Sequence, residues 1–334
     1  MSHTVPTTPS PISAERSGRA EQLRRLVVEA VAATAAEGIL LSGGLDTSIV
    51  ATLAAAQGRQ LHAVTVSVAD SSAPDEPFAK LVAARLGFEL QVLCPQLQDL
   101  VDRMSEVVRL LDTFDPMELR NSIVTYLGLE AAHTAGIGSV LTGDAADELF
   151  AGYSFMFNMQ PEQLSGYVRY LNEVMHFTSL KLGPALGVKV ELPYLNSAVR
   201  AFALTLDAAD LVGEREGRRF GKRILREAFA DMLPEEIVWR VKTPIEFGSG
   251  STALTRMSVE AVSDEEFECA REPVAREDGV RLRDKEQYFY YRIYRQVFPP
   301  PREQPRGAKT CPQCQGPVPR LDMRYCRICG AYPV

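Results

Sequence analysis

The segment Ile39-Leu40-Leu41-Ser42-Gly43-Gly44-Leu45-Asp46-Thr47-Ser48 sets the organisation of the whole chain. An apolar run ends in Ser-Gly-Gly, Asp-Thr-Ser comes next, and an Ala/Leu-rich stretch from Ile49 to Ala56 follows. That order predicts a buried strand, a glycine turn and a helix. Glycines let backbone N–H groups approach a ligand closely. Hydroxyls beside the positive end of a new helix favour an anion, above all a phosphate. The Gly-x-x-x-x-Gly-Lys-Ser/Thr spacing of a Walker A loop is missing. The plainer alternative is a tight strand-to-helix turn capped by Thr47.

Working outward, Arg19 to Glu37 has the apolar spacing of an amphipathic helix ended by Gly38. Further β-rich runs lie at Leu61–Val68, Phe88–Leu93 and Gly138–Thr142. Helical patterns separate them at Glu76–Leu86, Leu97–Leu111 and Glu118–Ala135. Strands alternating with helices predict an α/β fold, a doubly wound parallel sheet covered on both faces. Ligands bind beyond the carboxyl ends of such strands. The loops after Leu41 and after Thr142 both leave a strand at that end and can face one crevice. From about Glu162 to Phe298 the pattern is mostly helical, with an apolar break at Val188–Leu195. The basic segments Arg218–Arg223 and Trp239–Pro244 read first as solvated charge at helix ends. The aromatic run from Tyr288 to Phe298 reads as packing.

Composition narrows the class. With 46% hydrophobic and 24% charged residues, 334 residues suffice for a large core plus an appendage. No run approaches the roughly 18–20 apolar residues of a membrane span. The Pro/Ser/Thr-rich start is expected to be a disordered leader (1–18) rather than a signal peptide, which makes a cytoplasmic location the default. A net charge of −7 disfavours bulk attraction to nucleic acid, though a local basic patch is compatible with it. Cys94 and Cys269 are isolated and are expected to be buried thiols. Cys311, Cys314, Cys326 and Cys329 form two Cys-x-x-Cys pairs, a pattern that points to metal in a cytosolic chain.

Asp144, Asp147 and Glu148 fall within five residues at a strand end. Clustered carboxylates hold a cation or ionise unequally. Together with Asp46 they predict a Mg²⁺ site beside a phosphate cradle, since Mg²⁺ takes one or two carboxylates plus phosphate oxygens. For one of these aspartates, capping the helix that begins near Ala145 is the alternative role.

The pairing of Ser42–Ser48 with Gly143-Asp-Ala-Ala-Asp-Glu-Leu-Phe-Ala-Gly-Tyr153 resembles the synthetase domain of asparagine synthetases and their relatives, among them β-lactam synthetases and lasso-peptide cyclases. Pro193-Tyr-Leu195, Gly221-Lys222 through Leu225-Arg226, Lys242-Thr-Pro and Tyr290-Tyr-Arg292 extend the resemblance from about Leu23 to Pro299. The resemblance implies a pyrophosphatase (PP) loop fold and an ATP-dependent ligase that adenylates a carboxylate, releases pyrophosphate and gives the acyl group to ammonia or an amine. By that resemblance Ser42, Gly43, Gly44, Thr47 and Ser48 hold pyrophosphate, and Leu41, Val66 and Gly143 frame adenosine. Asp46 and Asp147 hold Mg²⁺, Asp144 serves the amine, Lys222 and Lys242 balance phosphate charge, and Tyr153 supports the loop. The chain starts Met1-Ser2-His3, without the glutaminase domain of asparagine synthetases, so the nitrogen is expected from solution, a separate glutaminase or another amine. The family's Arg-x-Pro-Phe-Leu-Asp reads Glu191-Leu-Pro-Tyr-Leu-Asn196 here, which points away from aspartate as substrate. The alternatives are a PP-loop tRNA-modifying (thiolating) adenylating enzyme, or a non-catalytic nucleotide-binding scaffold.

The tail, Cys311-Pro-Gln-Cys314, eleven residues, then Cys326-Arg-Ile-Cys329-Gly330, predicts a zinc ribbon with a closed, structural Zn²⁺ site. The expected organisation is therefore a leader (1–18), a synthetase domain (19–298), a Pro-rich linker (299–310) and a zinc ribbon (311–334). The ribbon is free to meet the catalytic domain, a protein partner or RNA, and a homo-oligomer is compatible with the sequence.

Overall fold

The computed structural model describes residues 11–334. Helix α1 (Pro11–Ala32) leads through a loop into β1 (Gly38–Leu40), and α2 (Leu45–Ala56) follows the glycine turn. The chain continues through β2 (His62–Val66), α3 (Asp75–Leu86), β3 (Leu90–Leu93), α4 (Leu97–Leu111), α5 (Pro116–Thr134), β4 (Ser139–Leu141) and the short α6 (Ala146–Leu149). Next come α7 (Pro161–Val174), α8 (Ser179–Ala185) and β5 (Lys189–Glu191). Among the described residues these five strands form one parallel sheet in the order β3-β2-β1-β4-β5. The apolar break at Val188–Leu195 therefore holds the fifth strand. It is only three residues long, too short for a strand pattern to show against its helical flanks.

Neighbouring strand residues point to opposite faces. Val140 belongs to the core packed on one face of the sheet, and Leu141 to the core on the other. The first core joins α1, α2 and the helix Arg223–Phe229; the second joins α4, α5 and the helix Lys285–Val297. The sheet is doubly wound, as the alternation of elements predicts. Its order reverses at β1 and β4, which places the loops after Leu41 and Thr142 at the switch point.

Three expectations are corrected. Of the leader, residues 1–10 lie outside the described residues, while the remainder begins α1. Pro11 suits a first helical position. Cys94 and Cys269 are exposed, because Cys94 follows the edge strand β3 and Cys269 lies on a helix (Asp264–Glu277) that buries only Phe267. The 299–310 segment is no free tether, since Pro301 is buried and Gln304 donates to Asp112 Oδ1 (2.8 Å) and Tyr294 Oη (2.7 Å). The segment Glu162–Phe298 also contains an antiparallel hairpin, β6 (Gly213–Arg215) and β7 (Arg218–Phe220). No described helix is long and apolar enough to cross a membrane.

The tail packs into the second core. Cys311, Cys314, Cys326, Cys329, Val318 and Ile328 share it with α4, α5 and the aromatic helix. Phe114 anchors this junction, with ring centroids 5.0 Å from Tyr291 and 5.1 Å from Tyr294, both edge-on. Phe114→Ala is expected to lower unfolding free energy by about 3–5 kcal/mol in urea titration, the usual cost of deleting a buried aromatic ring.

Candidate active site

A cleft of about 1390 Å³ opens at the switch point. Leu41, Ser42, Asp46 and Thr47 line it from the first loop, and Gly143, Asp144, Asp147 and Glu148 from the second. Val66 lines it from the end of β2, and Lys222 and Lys242 enter from later segments. The turn geometry depends on two glycines. Gly43 has φ 67°, and a Cβ there would sit 2.3 Å from the Ala79 amide nitrogen; one on Gly143 would sit 2.9 Å from Asp46 Cβ. Gly44 N–H donates to Ser42 Oγ (3.2 Å), and the Ser42 and Thr47 hydroxyls pair at 3.1 Å. Gly44, not Thr47, is the N-cap of α2, and no side chain caps it. The turn is thus glycine-built. A helix's first turn leaves amides without intrahelical partners, and here that turn carries the cleft-lining Asp46 and Thr47.

The electrostatic centre is Lys222. Its ammonium lies 2.6 Å from Asp46 Oδ2 and 2.6 Å from Asp147 Oδ1, and Lys242 Nζ lies 2.7 Å from Asp147 Oδ2. Burial opposes ionisation of Asp147, yet the two ammoniums hold its carboxyl well below the usual range. Burial pushes Asp46 up, with Lys222 pulling against it. Although burial works against it too, the Lys242 ammonium is held above its ordinary range by Asp147 and Asp46. Burial raises Asp144, which accepts from Ser179 Oγ (2.6 Å). Burial and the Asp147 charge push Glu148 up to about 7 while Tyr153 Oη donates to it at 2.5 Å.

The residues fit a divalent cation in part. Asp46 Oδ1 is buried with no hydrogen-bond partner, a free hard oxygen of the kind Mg²⁺ takes. Both Asp147 oxygens already face lysines. The four cysteines fit a different metal. Their sulfurs lie within 4.8 Å of one another, and the Cys311–Cys329 and Cys314–Cys326 pairs are 3.7 Å apart. Thiolates about 2.3 Å from one tetrahedral Zn²⁺ would be spaced about 3.8 Å apart.

Some expected positions fall elsewhere. Ser48 is fully buried behind the loop, off the cleft wall, with its hydroxyl unpartnered. Glu191 is turned toward Ala35 N–H (3.1 Å) and Lys189 (3.1 Å), and Asn196 caps the helix Ser197–Ala203 by accepting from Ala198 N–H (2.9 Å). Neither residue lines the cleft. The two departures from the Arg-x-Pro-Phe-Leu-Asp pattern thus make structural contacts here, away from the cleft. Four contributors had no local signal. Arg240, inside a segment read as solvated, donates to Ser42 O (3.3 Å), pairs with Asp75 and stacks 4.0 Å over Phe78. Glu118, Ser122 and His176 line the cleft from elements distant in sequence.

The sheet order and the glycine loop at its switch point define a doubly wound α/β fold with its cleft between the two loops. The asparagine synthase family model matches residues 20–186 and 171–311, and the chain belongs to that family. Asparagine synthetase [glutamine-hydrolyzing] of Zea mays is 27% identical over 322 residues, covering 90% of this chain and 53% of that protein. Asparagine synthetase B [glutamine-hydrolyzing] of Escherichia coli K12 is 30% identical over 290 residues, covering 79% of this chain and 50% of that protein. The chain spans about half the length of the curated relatives it matches. NMN synthetase from Francisella tularensis aligns structurally at a TM-score of 0.38 and 16% identity, over 84% of this chain and 93% of that one, a likeness too low to bear on activity. The family match stops at Cys311, so the other three clustered cysteines lie beyond it.

Removing one partner of a buried ion pair costs about 3–5 kcal/mol because the other charge is left stranded. Lys222→Met, at 3% side-chain exposure, should show that loss by chemical denaturation, and Lys242→Met, at 33%, clearly less.

Proposed function

We propose that the protein is an ATP-dependent, AMP-forming carbon–nitrogen ligase. It adenylates a small-molecule carboxylate, releases pyrophosphate, and transfers the acyl group to ammonia or an amine supplied from solution or by a separate glutaminase. The observation that carries this reading is the Asp46–Lys222–Asp147–Lys242 cluster, which joins the two switch-point loops at the floor of one cleft.

The chemistry follows from charge. A carboxylate does not react with amines until its oxygen becomes a good leaving group, and attack on the α-phosphorus supplies one by expelling pyrophosphate. Ser42, Gly43, Gly44 and Thr47, with the amides of the α2 first turn, suit the departing pyrophosphate. Leu41, Val66 and Gly143 offer an apolar, close-fitting edge for adenosine. Lys222 and Lys242 each hold a proton against a carboxylate, so incoming phosphates can replace those carboxylates as partners and free the Asp147 oxygens. Mg²⁺, when bound, would be held by Asp46 and Asp147 and would supply positive charge at the phosphate oxygens. Preorganised cations facing developing charge are the main source of rate in such sites. Asp144 is suited to take the amine proton, since burial brings its carboxyl closer to neutrality than an ordinary aspartate.

Residues 19–298 form the catalytic unit on this reading. Residues 311–334 form a structural Zn²⁺ ribbon fastened by the 299–310 strap, in a cytoplasmic protein. The test is a pyrophosphate-release screen over carboxylate and amine pairs, beginning with aspartate plus ammonium. Release should require both substrates and Mg²⁺, and Asp46→Ala should abolish it while the circular dichroism spectrum stays intact; retained release in that variant would overturn the assignment. Elemental analysis should find one zinc per chain, lost in Cys314→Ser.

A further inference from the structure

The adenylation chemistry leaves one wall of the cleft unused. That wall is the strip His176-Phe177-Thr178-Ser179, which leads from α7 into α8 and lines the cleft throughout. Its side chains tie separate elements together. His176 Nε2 lies 3.1 Å from Glu118 Oε1, Ser122 Oγ donates to Thr178 Oγ1 (3.2 Å), and Ser179 Oγ donates to Asp144 (2.6 Å). Glu118 and Ser122, four apart, share one face of α5. The strip thus connects the start of α5 to the acidic loop.

The four-cysteine tail holds both ends of this corner from behind. Tyr325 Oη lies 2.9 Å from His176 Nδ1, with the two rings stacked at 18°. Arg327 donates to Val174 O (2.9 Å), and Arg324 N–H donates to Tyr170 Oη (3.0 Å). At the start of α5, Ile328 O accepts from Phe114 N–H (2.8 Å) and Thr113 Oγ1 (3.1 Å). Gly330 packs so close that a Cβ would meet Asp115 Oδ1 at 2.2 Å.

Histidine chemistry makes the link directional. A neutral imidazole carries one ring proton, and the bond made by one nitrogen fixes where that proton sits. The Glu118 carboxylate can only accept, so in a neutral His176 the proton belongs on Nε2 and Nδ1 is left to accept from the Tyr325 hydroxyl, which otherwise has only Val174 O at 3.5 Å. Among the described residues no lysine or arginine pairs with Glu118. Its carboxylate lines the cleft along with Asp144 and Glu148. Single-ligand pockets are about 300–1,000 Å³, so a cleft of about 1390 Å³ has room beyond a nucleotide.

We propose that the cysteine tail is a working part of the active site. Tyr325 and His176 are positioning residues that set Glu118, and the Glu118 carboxylate receives a protonated amino group of a substrate. That group belongs either to the acceptor amine, which gives up a proton to Asp144 before it attacks, or to an amino acid whose carboxylate is adenylated. The substrate half of this proposal rests on the ligase reading; the positioning half does not.

The test uses the full-length, zinc-loaded chain. With ¹⁵N-histidine labelling, long-range ¹H–¹⁵N spectra should show His176 as the Nε2–H tautomer. Tyr325→Phe should convert it to a mixture while His3, His62 and His133 stay unchanged. An unmoved His176 overturns the positioning role. Pyrophosphate release is then measured with aspartate or glutamate against ammonium, hydroxylamine or lysine. Loss of a charge-assisted contact in Glu118→Gln should raise KM for one amino-bearing partner by about tenfold or more. kcat and the affinity for α,β-methylene-ATP should stay nearly constant. A raised KM for the amine identifies the acceptor, and a raised KM for the amino acid identifies the acyl donor. Unchanged KM values, or a defect confined to kcat or nucleotide affinity, overturn the role of Glu118. No release from the unmutated protein with any pair overturns the ligase reading and the substrate half with it, and the tautomer measurement still decides the positioning half.

Discussion

Lys222 carries a full charge at 3% exposure and is held by two carboxylates from loops about a hundred residues apart in sequence. An ammonium so far from water persists only if paired and hydrogen-bonded, so the Asp46 and Asp147 loops must both be in place. The surrounding backbone is shaped around that lysine. Lys222 adopts φ 58°, a left-handed conformation that costs a non-glycine residue about 1–3 kcal/mol. Gly221 and Gly152 flank it because a Cβ on either would overlap Ala151 O, or Asp147 Oδ1 and Lys222 Cε. The short α6 and the helix Arg223–Phe229 are in effect brackets around one ion cluster.

The first core brings α2 and the Lys222 helix together, and the second carries α5 and the cysteine tail. The cleft lies where both end. Its floor is set by charge, and its far wall by packing against a tail that lies outside the family match. The four clustered cysteines sit in that second core, behind the wall and away from the charged floor.

Much of this was legible from short-range pattern. The Ser42–Ser48 turn, the Gly143–Tyr153 loop and the four-cysteine spacing each contain their own geometric reason, because glycine turns, carboxylate clusters and paired thiols are local constraints. The misreadings share a cause as well. Glu191 and Asn196 differ from the family pattern, yet one faces the α1–β1 loop and the other caps a helix. Ser48 belongs to the motif but turns into the core. Arg240 looked like solvated charge because nothing adjacent in sequence marks a cation for burial. Cys94 and Cys269 look like core thiols until the edge strand and the outer helix face are known.

Alternation, glycine placement and cysteine spacing act over a few residues, so the parallel α/β sheet, the two loops that meet at its switch point and the four-cysteine tail are legible in the chain alone. Which carboxylates share Lys222, that β5 completes the sheet, and that Tyr325 reaches His176 are settled in three dimensions. Those contacts join residues 75 to 176 positions apart or elements three residues long. Long-range burial, not local pattern, selects them.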